Sequence, residues 1–206
     1  WVGSPAGGLW KSTDGGNNWT TNTDNLPVMG VSHIAIDPNN TQIMYIVTGD
    51  AMASDTYSIG ILKSTDGGVT WNTTGLSFDV DQQQTVNKII IHPNYSDSLY
   101  AVTNSNIRIS GDGGNNWQIV GTIGRWRDIE FKPDNPRVLY AAKQSSGNSQ
   151  VFRSTDGGSS WTNISGGMLS SRYRPLIAVT PENPNVIYAL FSAADYGYHG
   201  LYKSTD

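Results

Sequence analysis

The eight-residue stretch Ser12-Thr13-Asp14-Gly15-Gly16-Asn17-Asn18-Trp19 constrains this chain more than any other feature, because it recurs. It returns as Ser64-Thr65-Asp66-Gly67-Gly68-Val69-Thr70-Trp71. It returns again as Ser110-Gly111-Asp112-Gly113-Gly114-Asn115-Asn116-Trp117 and as Ser154-Thr155-Asp156-Gly157-Gly158-Ser159-Ser160-Trp161. Lys203-Ser204-Thr205-Asp206 begins a fifth copy. The intervals between the serines are 52, 46, 44 and 50 residues, and a near-fixed period of this length marks a repeat architecture.

Each part of the octet has a physical job. Asp followed by Gly-Gly between two β-rich runs is a tight hairpin signal, since glycine adopts positive φ at no steric cost. Ser and Asp side chains accept hydrogen bonds from the backbone of their own turn. The Trp opens the next strand and buries about 150–250 Å² when it locks one sheet to another. All four (Trp19, Trp71, Trp117, Trp161) are expected to be mostly buried. The four octet aspartates are expected to be structural acceptors on the invariant end of each sheet.

A second signature runs out of phase with the first. It is a proline turn, seen at Asp37-Pro38-Asn39-Asn40, His92-Pro93-Asn94-Tyr95, Lys132-Pro133-Asp134-Asn135 and Thr180-Pro181-Glu182-Asn183. Proline lacks a donor and ends a strand, while Asn and Asp favour the turn. Seven residues after each Pro stands a Tyr: Tyr45, Tyr100, Tyr140 and Tyr188. Each repeat therefore reads as four strands. Strand A precedes the Pro (31–36, 86–91, 127–131, 176–179). Strand B carries the Tyr (43–47, 99–103, 138–142, 187–191). Strand C leads into the octet (9–12, 61–64, 107–110, 151–154, 201–204), and strand D starts at the Trp. Four antiparallel strands in about 45 residues make one blade of a β-propeller. The blades run 24–75, 76–120 and 121–165, with partial blades 1–23 and 166–206. An incomplete ring, from a fragment of a longer polypeptide, is the expectation.

The octet is the Asp-box, or BNR, motif, and nearly the whole chain resembles the Asp-box β-propellers: sialidases, xyloglucanase-type glycoside hydrolases and the sortilin luminal domain. The resemblance implies a propeller fold with the box as a peripheral hairpin that carries no chemistry. Sialidases of this class use three arginines, a Tyr–Glu pair and an Asp, and this set has no residue-by-residue counterpart here. Xyloglucanase-type enzymes use two Asp from separate blades or lobes, whose surrounding motifs are also not recognisable.

The spacings single out one end of the sheets. Pro-to-Tyr and octet lengths are constant, so A–B and C–D turns are fixed. Tyr-to-Ser intervals are 19, 10, 14 and 16, and Trp-to-Pro intervals are 19, 22, 16 and 20, so B–C and D–A loops vary. Binding residues concentrate on such loops.

The longest B–C loop carries Asp50, Asp55 and Tyr57. The two acids suit either turn capping or part of a Ca²⁺ site, the one cofactor considered. The D–A loop 75–85 carries Asp79 and Asp81 beside Phe78, either a carboxylate pair for glycoside hydrolysis or a solvated loop. Gly124-Arg125-Trp126-Arg127-Asp128 offers a Trp for stacking on a sugar, or a Trp packed between blades. Ser170-Ser171-Arg172-Tyr173-Arg174 and Asp195-Tyr196-Gly197-Tyr198-His199 carry recognition chemistry. The contributors chosen are Asp50, Asp55, Tyr57, Asp79, Arg125, Trp126, Arg172, Tyr173, Tyr196 and His199. Trp126 and Tyr196 lead the stacking candidates.

Composition narrows the partners. A net charge of −4 gives no nucleic-acid footprint, and no apolar run reaches the roughly 20 residues of a membrane span. With no cysteine there is no disulfide framework and no thiolate metal site. The three histidines (His33, His92, His199) lack metal-ligand spacing. Low charge with abundant Asn, Ser, Thr and Gly looks like an exported bacterial surface protein. Two functions remain from the sequence. One is a non-catalytic extracellular or cell-surface module that binds a glycan, a peptide, a protein or the remainder of its own chain. The other is part of a glycoside hydrolase.

Overall fold

The computed structural model describes residues 1–51 and 56–205. Among them lie eighteen β-strands in five sheets, and no α-helix. The first sheet is β1 (Val2–Ser4), β2 (Gly8–Lys11) and β3 (Thr20–Thr21). The second is β4 (Val31–Ile36), β5 (Met44–Thr48), β6 (Gly60–Ser64) and β7 (Asn72–Ser77). The third is β8 (Val86–His92), β9 (Tyr95–Thr103), β10 (Ile107–Ser110) and β11 (Gln118–Val120). The fourth is β12 (Arg125–Lys132), β13 (Asn135–Gln144), β14 (Gln150–Ser154) and β15 (Thr162–Asn163). The fifth is β16 (Pro175–Val179), β17 (Ile187–Ser192) and β18 (Tyr198–Ser204). Every sheet is an antiparallel meander in chain order, as the repeat pattern requires.

The chain forms two compact units: Trp1–Ala101 with Ile109–Gln118, and Val102–Arg108 with Ile119 onward. In the first unit, strand β5 shows why the sheets stack. Its five residues are all buried. Successive side chains of a strand point to opposite faces. Ile46 joins Leu9, Val31 and Leu62 on one face, while Tyr45 and Val47 join Ile61, Leu76, Val86, Ile89 and Leu99 on the other. A strand buried on both faces needs a layer on each side, and each fully buried Val, Leu or Ile contributes about 1.5–3 kcal/mol. The second unit has its own core of Tyr140, Ala142, Val151, Ile177, Ile187, Ala189 and Phe191. There Asp128 on β12 accepts the Ile177 N–H of β16 at 2.8 Å, a buried bond between two successive sheets.

The octets fold alike. Both glycines of each take positive φ, from 68° to 93°. The third octet shows the pattern; the second departs from it in one bond, since Gly68 O accepts from Asn22 Nδ2 at 2.6 Å and Trp71 Nε1 does not bond to it. In the third, the Ser110 hydroxyl accepts the Gly114 N–H at 2.9 Å and donates to Asp112 Oδ1 at 2.8 Å. Asp112 Oδ1 accepts the Asn116 N–H at 2.9 Å, and Oδ2 accepts the Asn116 side-chain amide at 2.7 Å. Trp117 Nε1 closes the turn by donating to Gly114 O at 3.0 Å. In the other octets the Asn116 role falls to Asn18, Thr70 and Ser160. These bonds to the ionised carboxylates lower the pKa of Asp14, Asp112 and Asp156 from 3.8 to about 2, and that of Asp66 further still. The aspartates are thus structural acceptors.

The octet also binds its own sheet. The first glycine N–H donates to the carbonyl three residues before the sheet's Tyr: Gly67 to Gln42, Gly113 to Asp97 and Gly157 to Arg137, each at 2.9 Å. The A–B and C–D turns therefore share one end of each of these sheets. The octet binds the preceding sheet as well, since Tyr45 Oη and Lys63 Nζ each donate to Gly113 O at 3.1 Å.

Two expectations change. The octet tryptophans are not mostly buried: Trp19 is 42% exposed, and Trp71, Trp117 and Trp161 are half-buried. Trp71 and Trp117 each lie between their own sheet and the one before. Trp71 packs on the cluster of Leu9 and Val31, and Trp117 on the cluster of Ile61 and Val86. Trp161 lies 6.0 Å from Trp126 and beside Gly121. Trp19, in the first sheet, has no preceding sheet among the described residues to cover it. The proline turns also take two forms. In the third and fourth sheets the strands run to within two residues of each other, His92 to Tyr95 and Lys132 to Asn135. In the second the turn opens over 37–43, because the Asp37 carboxylate accepts the Asn39 N–H at 2.9 Å and the Asp37 N–H reaches Ile43 O at 3.0 Å.

Replacing Ser110 by Ala strands the Gly114 N–H and is expected to cost about 1–3 kcal/mol in urea unfolding, while Ser12→Ala, on an exposed octet, costs less. The depressed carboxyl pKa values stabilise the folded chain fully above pH 4. That contribution is lost as pH falls from about 4 through about 2. Thermal melts between pH 5 and pH 2 check this: Asp112→Asn is expected to start lower and lose less on acidification.

Candidate functional site

In the second unit three variable loops meet. They are 145–149 between β13 and β14, 164–174 between β15 and β16, and 193–197 between β17 and β18. The Ser149 N–H donates to Arg172 O at 3.1 Å, and the Ser171 N–H to Asn148 Oδ1 at 3.0 Å, so the middle loop runs alongside the first. The Tyr173 N–H donates to Ser192 O at 2.8 Å, which ties it to the last. That last loop is a tight turn: Gly197 O accepts from Ala193 at 2.7 Å, and Asp195 Oδ1 from Gly197 N–H at 2.9 Å. The turn forces Tyr196 to φ +67°, a left-handed conformation that costs a non-glycine residue about 1–2 kcal/mol.

This strained turn presents an aromatic surface. The Tyr196 ring meets Tyr173 edge-on at 5.7 Å, and the Arg174 guanidinium lies over Tyr196 at 4.6 Å. Tyr196 is 62% exposed and Tyr198 75%. Tyr173, Arg174 and His199 are half-buried beneath them. The Tyr198 hydroxyl accepts the Leu201 N–H at 3.0 Å, which fixes that ring against β18. His199 Nε2 lies 2.8 Å from Ser170 O; a carbonyl only accepts, so Nε2 carries the proton. Chemically, the arrangement offers exposed ring faces, phenol hydroxyls and a guanidinium held by stacking. It suits stacking on pyranose rings or on a peptide.

The structure redistributes the residues picked from sequence. Tyr173, Tyr196 and His199 come together. Trp126 does not join them: it is fully buried, 5.1 Å from Phe152 and 6.0 Å from Trp161, with Nε1 donating to Thr122 O at 3.0 Å. The packed reading of Trp126 holds, and the ligand-stacking reading is corrected. Arg172 is a second correction. It is 6% exposed, its Nε donates to Ser149 O at 3.0 Å, a terminal nitrogen donates to Leu169 O, and the guanidinium lies 5.6 Å over Phe191. Arg174, half-buried over Tyr196, and the exposed Tyr198 stand there instead. Arg125 is half-buried at the start of β12, with Gln144 as its register partner.

In the first unit, Asp79 is exposed and caps the short 3-10 turn Val80–Gln82, with its N–H donating to Gln82 Oε1 at 3.2 Å. Asp81 stands exposed in the first turn of that element. This is the solvated-loop reading. Asp50 is buried, with its N–H donating to Thr56 O at 2.8 Å, and Tyr57 is half-buried nearby in sequence. Asp55 lies outside the described residues. Among the described residues no cluster of three His, Asp or Glu is placed to hold a metal ion.

Trp126→Ala is expected to act on folding, with a loss of about 3–5 kcal/mol in urea unfolding. Tyr196→Gly, which relieves the left-handed strain as it removes the ring contacts, is expected to leave the unfolding midpoint nearly unchanged.

No family model matches the chain. A xyloglucanase of Paenibacillus sp. is 29% identical over 196 residues, covering 79% of this chain and 18% of that protein. The xyloglucanase Xgh74A of Acetivibrio thermocellus is 27% identical over 168 residues, covering 78% and 16%. The chain thus spans less than a fifth of these relatives' length. Among solved structures, the GH74 xyloglucanase of Xanthomonas campestris superposes with a TM-score of 0.75 at 17% identity, over 98% of this chain and 34% of that one. The GH74 enzyme of Niastella koreensis gives 0.74 at 23%, over 97% and 33%. YCF48 bound to D1 peptide gives 0.62 at 20%, over 98% and 62%. These likenesses give the fold: the five sheets are β-propeller blades.

Proposed function

We propose that this chain is a run of blades from an extracellular polysaccharide-acting propeller of the xyloglucanase type, with its octets as Asp boxes. Within that protein it supplies a carbohydrate-binding surface. The observation that carries the reading is the 29% identity to a xyloglucanase across 79% of the chain. The tyrosine surface of the fifth blade supports it. A β-glucan is a neutral ribbon of flat rings, and the exposed Tyr196 and Tyr198 offer apolar faces with hydroxyls beside them. The aspartates serve turns in the octets and at Asp79, so the role assigned here is binding, and hydrolysis belongs to the whole protein. Localisation outside the cell follows from the polysaccharide substrate. No helix among the described residues is long and apolar enough to cross a membrane.

A second reading is a platform for a peptide or protein. It is favoured by the likeness to YCF48, whose solved complex holds a D1 peptide.

Affinity electrophoresis of the 206-residue chain through gels containing xyloglucan tests the first reading. Retardation is expected. Tyr196→Gly with Tyr198→Ala is expected to weaken binding by about tenfold or more with the thermal midpoint nearly unchanged, since one stacking contact contributes about 0.5–1.5 kcal/mol beyond its area. Migration indifferent to xyloglucan, or retardation that survives the double substitution, rules the tyrosine surface out.

A further inference from the structure

Arg172 carries its charge into the interior of the second unit. It is 6% exposed, and among the described residues no carboxylate pairs with it. Its guanidinium meets neutral groups instead. Nε donates to Ser149 O at 3.0 Å, a terminal nitrogen donates to Leu169 O, and the Phe191 ring lies 5.6 Å away. Taking a charge out of water without a counter-charge costs folding free energy, and an apolar side chain in the same place would avoid that cost.

The three partners come from the stretches that meet at the tyrosine surface. Ser149 ends the loop after β13, Leu169 lies in loop 164–174, and Phe191 is on β17, which runs into loop 193–197. The backbone around Arg172 is held on both sides. The Ser149 N–H returns to Arg172 O at 3.1 Å, and Ser171, with φ +66°, donates its N–H to Asn148 Oδ1 at 3.0 Å. Beyond it, the Tyr173 N–H donates to Ser192 O at 2.8 Å and the Ser192 N–H to Arg174 O at 3.1 Å. Tyr173 and Arg174 are the side chains that back Tyr196, at 5.7 Å and 4.6 Å. The guanidinium fork thus belongs to the residue directly before the ring contacts of the surface.

We infer that Arg172 is a positioning residue for the tyrosine surface. It touches no ligand itself. Its guanidinium fastens loops 145–149 and 164–174 to β17, so that Tyr173, Arg174 and Tyr196 stand in their binding arrangement before a glycan arrives. This role rests on the reading that the surface takes a β-glucan. The chemistry calls for arginine: a planar fork with several donors reaches two carbonyls and stacks on a ring at once, which a lysine ammonium, a point charge, does not. Affinity gained in this way comes from ordering done in advance.

The test compares the 206-residue chain with its Arg172→Lys and Arg172→Ala forms, by isothermal titration with xyloglucan oligosaccharides and by amide hydrogen exchange, both well below the melting temperature of the weakest form. Arg172→Lys is expected to bind about tenfold more weakly, because its loop side chains then order on binding. Exchange at Ser149 and Tyr173 is expected to quicken, while that of Ile177, whose N–H bonds Asp128, stays slow. In Arg172→Ala, millimolar guanidinium is expected to restore affinity and loop protection where equal ammonium does not. Unchanged affinity, or unchanged exchange at Ser149 and Tyr173, in Arg172→Lys overturns the inference. So does equally quickened exchange at Ile177, since the residue then serves the fold alone, and so does rescue by both salts or by neither. If the unaltered chain takes up no oligosaccharide, the function proposed above fails, and the exchange data with their guanidinium rescue decide by themselves whether Arg172 orders the loops.

Discussion

The serine hydroxyl of each octet holds the rest in place. It donates to the aspartate and accepts from the second glycine, and the aspartate then satisfies two groups four residues on. A turn with both glycines at positive φ has no ladder partner for those amides, and an unpaired buried amide costs about 1–3 kcal/mol. Once the hydroxyl closes the loop, the first glycine N–H is left pointing at the start of strand B and bonds there. That one bond clamps the two turns at the same end of the sheet. All freedom in loop length is thereby pushed to the opposite end, where the tyrosine surface lies.

The same turn couples blades. Gly113 O receives both Tyr45 and Lys63 from the preceding sheet, and the Tyr45 ring stands between Lys63 and the core. Burial raises the Tyr45 pKa, with Asp97 and Asp37 adding to the shift, so the phenol stays protonated and keeps donating throughout the range in which the chain folds. A single blade could not satisfy this pattern, because β5 has apolar side chains on both faces and its tyrosine seeks a carbonyl in the next octet. Stability in such a repeat is a sum of neighbour terms.

Most of the architecture was legible because it is periodic. The strand positions, the octet geometry and the shared end of the fixed turns all follow from spacing. What was not legible depends on which way a loop crosses its neighbour. Arg172 and Arg174 stand two apart with identical chemistry. Only the pairing of Arg172 with Ser149 turns the first inward and leaves the second over Tyr196. Trp126 has flanking arginines and looks like a recognition residue. It is buried because β12 starts at Arg125, two residues before the periodic pattern begins, and a bulge between Trp126 and Asp128 turns the indole toward Phe152. The burial of the octet tryptophans was overestimated for a related reason. A tryptophan between two blades is covered only as far as the preceding blade reaches, and the N–H of Trp117 and of Trp161 is held by the glycine carbonyl of its own turn.

Tyr196 offers the strongest physical argument that the loop end is built for recognition. Its left-handed backbone costs about 1–2 kcal/mol, which a glycine would avoid. The edge-on contact with Tyr173 returns about 0.5–1.5 kcal/mol, and the Arg174 contact about 0.5–1. The strain and the gains nearly cancel, so folding alone gives an aromatic little advantage at this turn. Strain that the fold tolerates without benefit is a recurring mark of functional positions. Here it holds a ring in solvent, backed by an arginine and a second tyrosine, at the end of the sheet where the loops are free to vary.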